Sequence, residues 1–296
     1  MKQAAVLGLR VAALTLALFA CFAVAGTSLG MQQQPRPPED AARAGLALLL
    51  VCIMNSVVMA WIILRSRWSG WRLILAIAFV YYGVTTFMAQ IESAVFITRL
   101  PPGMLPRLFV MGGLIAIPFA ALAVLILGKR RADASDRHPN TRLIMPLGAW
   151  ARNLALLAAA YVVLYFTFGY FIAWRTPAVL AYYNGIDEGS LLTHMRVVVR
   201  DMPWLIPFQV LRALLWIALA LPVIRMMKGG GGETALAVAA LFGIVMNTQL
   251  LLPNPYMPEA VRMAHLVETA SSNWLFGMLT GSLLTSVNLG RDRRHP

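Results

Sequence analysis

The sequence predicts an all-α fold: a polytopic membrane helical bundle of about eight transmembrane helices, both termini cytoplasmic, with an amphipathic helix lying in the interface. Three observations predict it. Of 296 residues, 59% are hydrophobic and 12% charged, about half the charged fraction of a soluble domain. Eight apolar stretches, at about 8–28, 44–64, 73–97, 107–127, 150–173, 204–224, 234–252 and 262–288, each reach the roughly 18 residues needed to span a bilayer core. Lys and Arg also alternate between connectors as positive-inside topology requires. Sixteen fall on the side of Lys2, Arg65, Lys129, Arg225 and Arg291, eight on the other side, and Arg212 lies within a span, completing twenty-five. The alternating segments of a membrane β-barrel are absent.

Taken in order, the first stretch begins after Lys2 and ends at Ala23-Val24-Ala25, which resembles a signal peptide with its cleavage site. Its apolar run is long for a leader and Arg10 interrupts its start, so an uncleaved first helix is the reading; cleavage would leave seven spans. A short proline-rich link, 31–43, leads to the second span. The third and seventh spans both run outward into proline-rich links, Leu100-Pro-Pro-Gly-Met-Leu-Pro-Arg107 and Leu252-Pro-Asn-Pro-Tyr-Met-Pro258. The second and sixth both end inward at an arginine, Arg65 and Arg225. A parallel four-plus-four repeat would produce this echo; so would ordinary proline capping. The whole chain, 1–296, reads as one membrane domain. Halves 1–128 and 149–296 are joined by the charged loop 129–148. Between the fifth and sixth spans, Leu191, Leu192, Met195, Val198 and Val199 recur at helical spacing opposite His194, Arg196 and Arg200. That reads as an interfacial helix, which could equally pack against a partner or cover a cavity as a lid.

The net charge of +13 comes from cytoplasmic loops rather than from a nucleic-acid surface, since no nucleic-acid-binding motif accompanies it. Cys21 and Cys52 lack metal or redox spacing and read as small buried hydrophobes. Gly26-Thr-Ser-Leu-Gly30 has the letters of a nucleophile elbow without the strand-to-helix context. Gly229 to Gly232 lack the Lys-Ser/Thr of a phosphate loop, and there is no HExxH. No motif specifies a cofactor.

What remains is a polar layer. Of twelve acidic residues, only Glu92 and Glu268 fall within apolar spans, where ionisable groups are costly and usually functional. Counted along their helices, Glu92 lies about 10 Å inward from Arg99, Glu268 about 9 Å from Arg262, and Arg212 about 16 Å from Asp201. His265 shares a helix face with Glu268. The candidate catalytic residues are therefore Glu92, His265 and Glu268, with Gln90, Arg212, Asn247, Gln249, Ser272 and Asn273 as candidate binding groups. Four chemistries compete for the cluster: a satisfied ion pair that only fixes packing, proton or solute handling, a divalent metal on Glu92, His265 and Glu268, and metal-free acid/base work with His265 as base.

Three functions stand as expectations. The first is an enzyme or binding protein for a lipid or small amphiphile at the outer leaflet of a bacterial inner membrane, which explains why polar groups gather near one face. The second is a proton- or ion-coupled permease, which requires a midplane site and access from both sides. The third is a structural membrane subunit.

Overall fold

The computed structural model describes residues 2–30, 38–97, 100–131 and 141–286. Most of the 31–43 link, Arg99, residues 132–140 of the long basic loop and the terminal Arg291-Asp-Arg-Arg-His-Pro296 lie outside them. The described residues are helical, with two isolated β-bridges and no strand.

Seven helices are long and apolar enough to cross a membrane: α1 (Lys2–Ser28), α2 (Pro38–Leu64), α3 (Gly70–Phe96), α4 (Met104–Ile126), α5 (Leu147–Ala173), α8 (Leu205–Met226) and α9 (Gly231–Leu251). The short helices α6 (Pro177–Tyr183) and α7 (Leu191–Asp201) lie between α5 and α8. The eighth expected span forms α10 (Glu259–Ser286), 28 residues or about 42 Å long. It is long enough to cross, but its polar residues keep it below the apolarity of the other seven. The protein is an integral membrane bundle.

Packing obeys one order in both halves. In the first, α1 packs on α2 and α4, and α3 on α4; in the second, α5 packs on α8 and α10, and α9 on α10. The halves meet through α2 on α9 and α3 on α8, contacts that exchange when the halves exchange. At one end Ser66 bridges Met227, with Arg67 N donating to Met226 O at 2.6 Å and Lys228 N to Arg65 O at 2.8 Å. This end carries the arginine-rich connectors. Arg65 grips Glu233 through two hydrogen bonds of 2.5 and 2.7 Å, and Lys129 Nζ donates to Ser66 O at 2.9 Å. We call it the basic face, and the opposite end the far face.

Without water to compete, membrane helices associate by close packing, and small residues permit it. Gly277 and Gly281 on α10 face Ala239 and Ala235 on α9; a Cβ on either glycine would sit 2.6 or 2.4 Å from the facing alanine Cα. Two inner helices are also interrupted by single π-turns, Gly83–Phe87 in α3 and Leu241–Val245 in α9. Each inserts a residue and re-aims the next helical turn. The α3 turn leaves the Thr85 carbonyl to accept from Gln249 Nε2 at 2.6 Å, and the α9 turn leaves the Phe242 and Gly243 carbonyls to Asn247 Nδ2 at 3.0 and 3.1 Å. Asn55, near the middle of α2, donates to Tyr81 OH at 3.1 Å and accepts from Thr248 Oγ1 at 3.0 Å.

The α9/α10 contact gives a direct test. Gly277→Val and Gly281→Val should each destabilise the protein by about 1–3 kcal/mol through overpacking, read as a lower unfolding midpoint in detergent. Gly8→Ala, whose added Cβ meets nothing within 4 Å, should leave the midpoint in place.

Candidate functional site

The polar layer forms around Arg212. This residue is 3% exposed, and a lone guanidinium at such a depth would be prohibitive. Its Nη2 donates to Glu92 Oε2 and its Nη1 to Gln209 Oε1, both at 2.9 Å. The rings of Tyr161, Tyr165 and Phe208 lie 5.8, 5.9 and 5.9 Å from its carbon centre, within cation–π range. The π-turn in α3 precedes Glu92 by one helical turn, so the break sets the direction from which the carboxylate meets α8.

A second acid/base pair stands on α10. His265 Nδ1 is 2.8 Å from Glu268 Oε2, the one-turn relation expected of i and i+3. His265 Nε2 is 3.3 Å from the hydroxyl of Tyr183 at the end of α6. Burial pushes that hydroxyl above its ordinary range, and Glu92, Tyr182 and Glu268 add to the shift; Tyr183 therefore stays neutral and able to donate.

Between these pairs lies a cavity lined by Glu92, Tyr161, Leu164, Tyr165, Arg212, Glu268, Thr269, Ser272 and Asn273. It offers about 10 Å³ to the centre of a water-sized sphere, enough for about one water. Glu268 uses one carboxylate oxygen on His265. Asn273 is 5% exposed, and among the described residues its amide has no hydrogen-bond partner. Counted from the far-face ends of their helices, Glu92 lies about 6 Å in, Arg212 about 10 Å, Glu268 about 14 Å and Asn273 about 21 Å. The site thus reaches the middle of the bundle at Asn273, with Glu92 and Arg212 nearer the far-face ends of their helices, and Glu268 further from its own, than counting from the loop residues put them. Below it, Tyr161, Trp216, Phe242 and Phe276 form a buried aromatic layer, with Tyr161 and Phe276 centroids 4.8 Å apart and Trp216 and Phe242 4.5 Å apart.

The same two helices form a second recess towards the basic face. Leu156, Leu157 and Ala160 of α5, with Leu279, Ser282 and Leu283 of α10, line an open apolar groove of about 370 Å³. Leu164 on the cavity rim stands one turn above Ala160 on the groove.

Of the nine residues picked from sequence, Glu92, Arg212, Glu268, Ser272 and Asn273 line one cavity, and His265 joins it through Glu268. Asn247 and Gln249 serve the π-turns of α9 and α3 instead. Gln90 lies off the cavity, its buried Oε1 without a partner among the described residues. Glu92 does not join His265 and Glu268 as a metal triad: among the described residues no three His, Cys, Asp or Glu side chains gather closely enough to hold an ion. Glu92 is held by Arg212. Tyr161 and Tyr165 were missed; their i, i+4 spacing on an otherwise apolar helix, with Gly169 one turn further, was the available signal. The interfacial helix forms as α7, capped by Ser190, whose side chain accepts from Thr193 N at 3.1 Å. Val198 packs with Phe166 and Leu205 over the outer end of the site, while Leu192 and Val199 remain exposed. His194 turns inward rather than to the polar side, pairing with Glu188 beside Tyr170 and Trp174.

Comparison with models of known protein families, with curated proteins and with solved structures found no match.

Two variants separate the roles. Glu92→Leu strands Arg212 and should cost about 3–5 kcal/mol, most of it recovered in Glu92→Leu/Arg212→Leu; denaturant unfolding of both would check the recovery. Gln249→Ala leaves the Thr85 carbonyl unmet and should cost about 1–3 kcal/mol without altering what the cavity binds.

Proposed function

We propose that this is a bacterial inner-membrane protein, both termini cytoplasmic, that takes an amphiphile from the outer leaflet and holds its polar end in the Arg212–Glu268 cavity. One observation carries the reading: a polar cavity and an apolar groove lie end to end along the same pair of helices, α5 and α10. An amphiphile has that shape, with the chain running from Leu164 past Ala160 towards Leu279. The groove is open, so the chain enters it from lipid, and the head passes the Tyr161–Phe276 pair to reach the cavity. The α7 helix covers the outer end, and the His265–Glu268 pair supplies an acid/base group beside the bound head.

A transport reading draws on the mid-depth of the cavity and the like packing of the two halves, both features of transporters. The layer of Tyr161, Trp216, Phe242 and Phe276 weighs against a second opening. Gradient-driven uptake into reconstituted vesicles would decide for transport.

The amphiphile reading predicts that protein purified in nanodiscs retains one such molecule, detected by native mass spectrometry. Ala160→Phe should fill the groove and lower its occupancy at least tenfold with little change in thermal midpoint. Wild type holding nothing above the bulk lipid background, or Ala160→Phe holding as much as wild type, would overturn it.

A further inference from the structure

We infer that the head group taken by this cavity is a primary ammonium, bound on Glu268 in exchange for one proton from the His265–Glu268 pair. The inference rests on the amphiphile reading and names the class of ligand within it.

Charge comes first. Arg212 and Glu92 neutralise each other at 2.9 Å. Glu268, 6% exposed, is then the uncompensated charge of the site, and an unpaired buried carboxylate costs several kcal/mol. The other groups facing it add no cation. Tyr161 and Tyr165 on α5 and Tyr183 on α6 are neutral, and α9 offers only the amide of Asn247. Arg262 on α10 is turned to the carbonyls of Leu250 and Leu252 at 2.7 and 2.9 Å. The nearest source of positive charge is a proton on His265, whose Nδ1 already meets Glu268 Oε2 at 2.8 Å. The empty site is neutral when that proton is present.

Size and chemistry then select the ligand. The open space suits one water-sized group, and an ammonium is of that size. Around it stand the second oxygen of Glu268, the unpartnered amide of Asn273, the Ser272 hydroxyl, the side chains of Tyr161 and Tyr165, and Arg212, whose charge is already met by Glu92. Apart from that paired guanidinium, they offer a cation with N–H donors a carboxylate, an amide oxygen, a hydroxyl and aromatic rings. A phosphate is too large for the space, and the one cation lining it, Arg212, is already paired with Glu92.

The exchange balances. In the empty state an imidazolium faces Glu268. When R–NH3+ enters, it takes the carboxylate as counter-ion, and His265 loses the proton on Nε2, beside Tyr183 and nearest the far-face boundary. Nδ1–H stays on Glu268. One positive charge enters and one leaves, so the buried cluster is neutral before and after.

Linkage fixes the test. Over the pH range in which the empty site holds its proton and the amine is charged, affinity for a primary amine should rise about tenfold per pH unit. The full-length protein in nanodiscs would be titrated calorimetrically with dodecylamine, dodecanol, dodecyl phosphate and ethylamine, against empty nanodiscs, from roughly pH 5.5 to 7.5. Two buffers of different ionisation enthalpy would count protons. Support is saturable dodecylamine binding with one proton released, at least tenfold weaker dodecanol and dodecyl phosphate, and loss of both binding and proton release in Glu268→Gln. His265→Gln should keep binding but shift its pH profile, which a purely structural role would not do. Asn273→Leu, which leaves every charge in place, guards against a Glu268→Gln that fails to fold and should weaken dodecylamine at least fivefold. Preferred dodecyl phosphate, or dodecylamine binding without proton release, would overturn the ammonium inference and leave the amphiphile reading standing. Ethylamine binding as tightly as dodecylamine would remove the amphiphile and keep the ammonium. Binding of none of the four would remove both.

Discussion

A guanidinium in the interior of a membrane bundle must be neutralised, and much of the site depends on how this is done. Arg212 lies on α8, but its counter-ion comes from α3 in the other half of the chain, so the pair ties the halves together at the level of the cavity. For Glu92 to reach it, α3 needs the π-turn at Gly83–Phe87. That turn frees the Thr85 carbonyl, and α9 must supply Gln249 to satisfy it. One buried charge thus sets requirements on three helices, and each requirement is met by a polar side chain that would otherwise have no place in lipid.

The same logic separates polar residues that build the frame from those that face the cavity. Asn247, Gln249 and Asn55 complete backbone or interhelical hydrogen bonds, each modest in energy, and have little capacity left for a ligand. Glu268, Ser272 and Asn273 fall within two turns of one another on α10 and retain free acceptors. The division is by unmet hydrogen-bonding capacity, which depends on neighbours rather than residue type.

The helical membrane class was legible because length and hydropathy act locally: seven of eight expected spans meet the requirement, and the eighth falls short because polar residues, those of the site among them, run through it. The partnership of Glu268 with His265 was legible from i, i+3 spacing, and a carboxylate partner for Arg212 from the cost of leaving it alone. The π-turns were not, since Gly83 and Leu241 sit in apolar runs that read equally well as unbroken helix. For that reason Asn247 and Gln249 looked like ligands. Nor were the depths of the site residues legible, because the count started from Arg99, Asp201 and Arg262, whereas the helices end at Phe96, Leu205 and Glu259. His194 misled in the same way: helical spacing put it on the polar face, but Glu188, before the helix, draws it inward.

The like packing of the two halves supplies an internal control on what the charges are for. Exchanging the halves carries the α3/α8 junction, where Glu92 meets Arg212, onto the α9/α2 junction, where Thr248 meets Asn55. That second junction does the same architectural work with neutral side chains, adding only Tyr81 as a third partner. Buried ion pairs are rarely worth more than a well-packed neutral replacement, so packing alone gives no reason to keep charge at one junction when the other manages without it. A second carboxylate, Glu268, beside the charged junction makes the point stronger, since it adds a charge that no helix contact requires. The asymmetry between two otherwise similar junctions is what the proposed charged guest would account for, and the neutral junction shows how this fold joins its halves without charge.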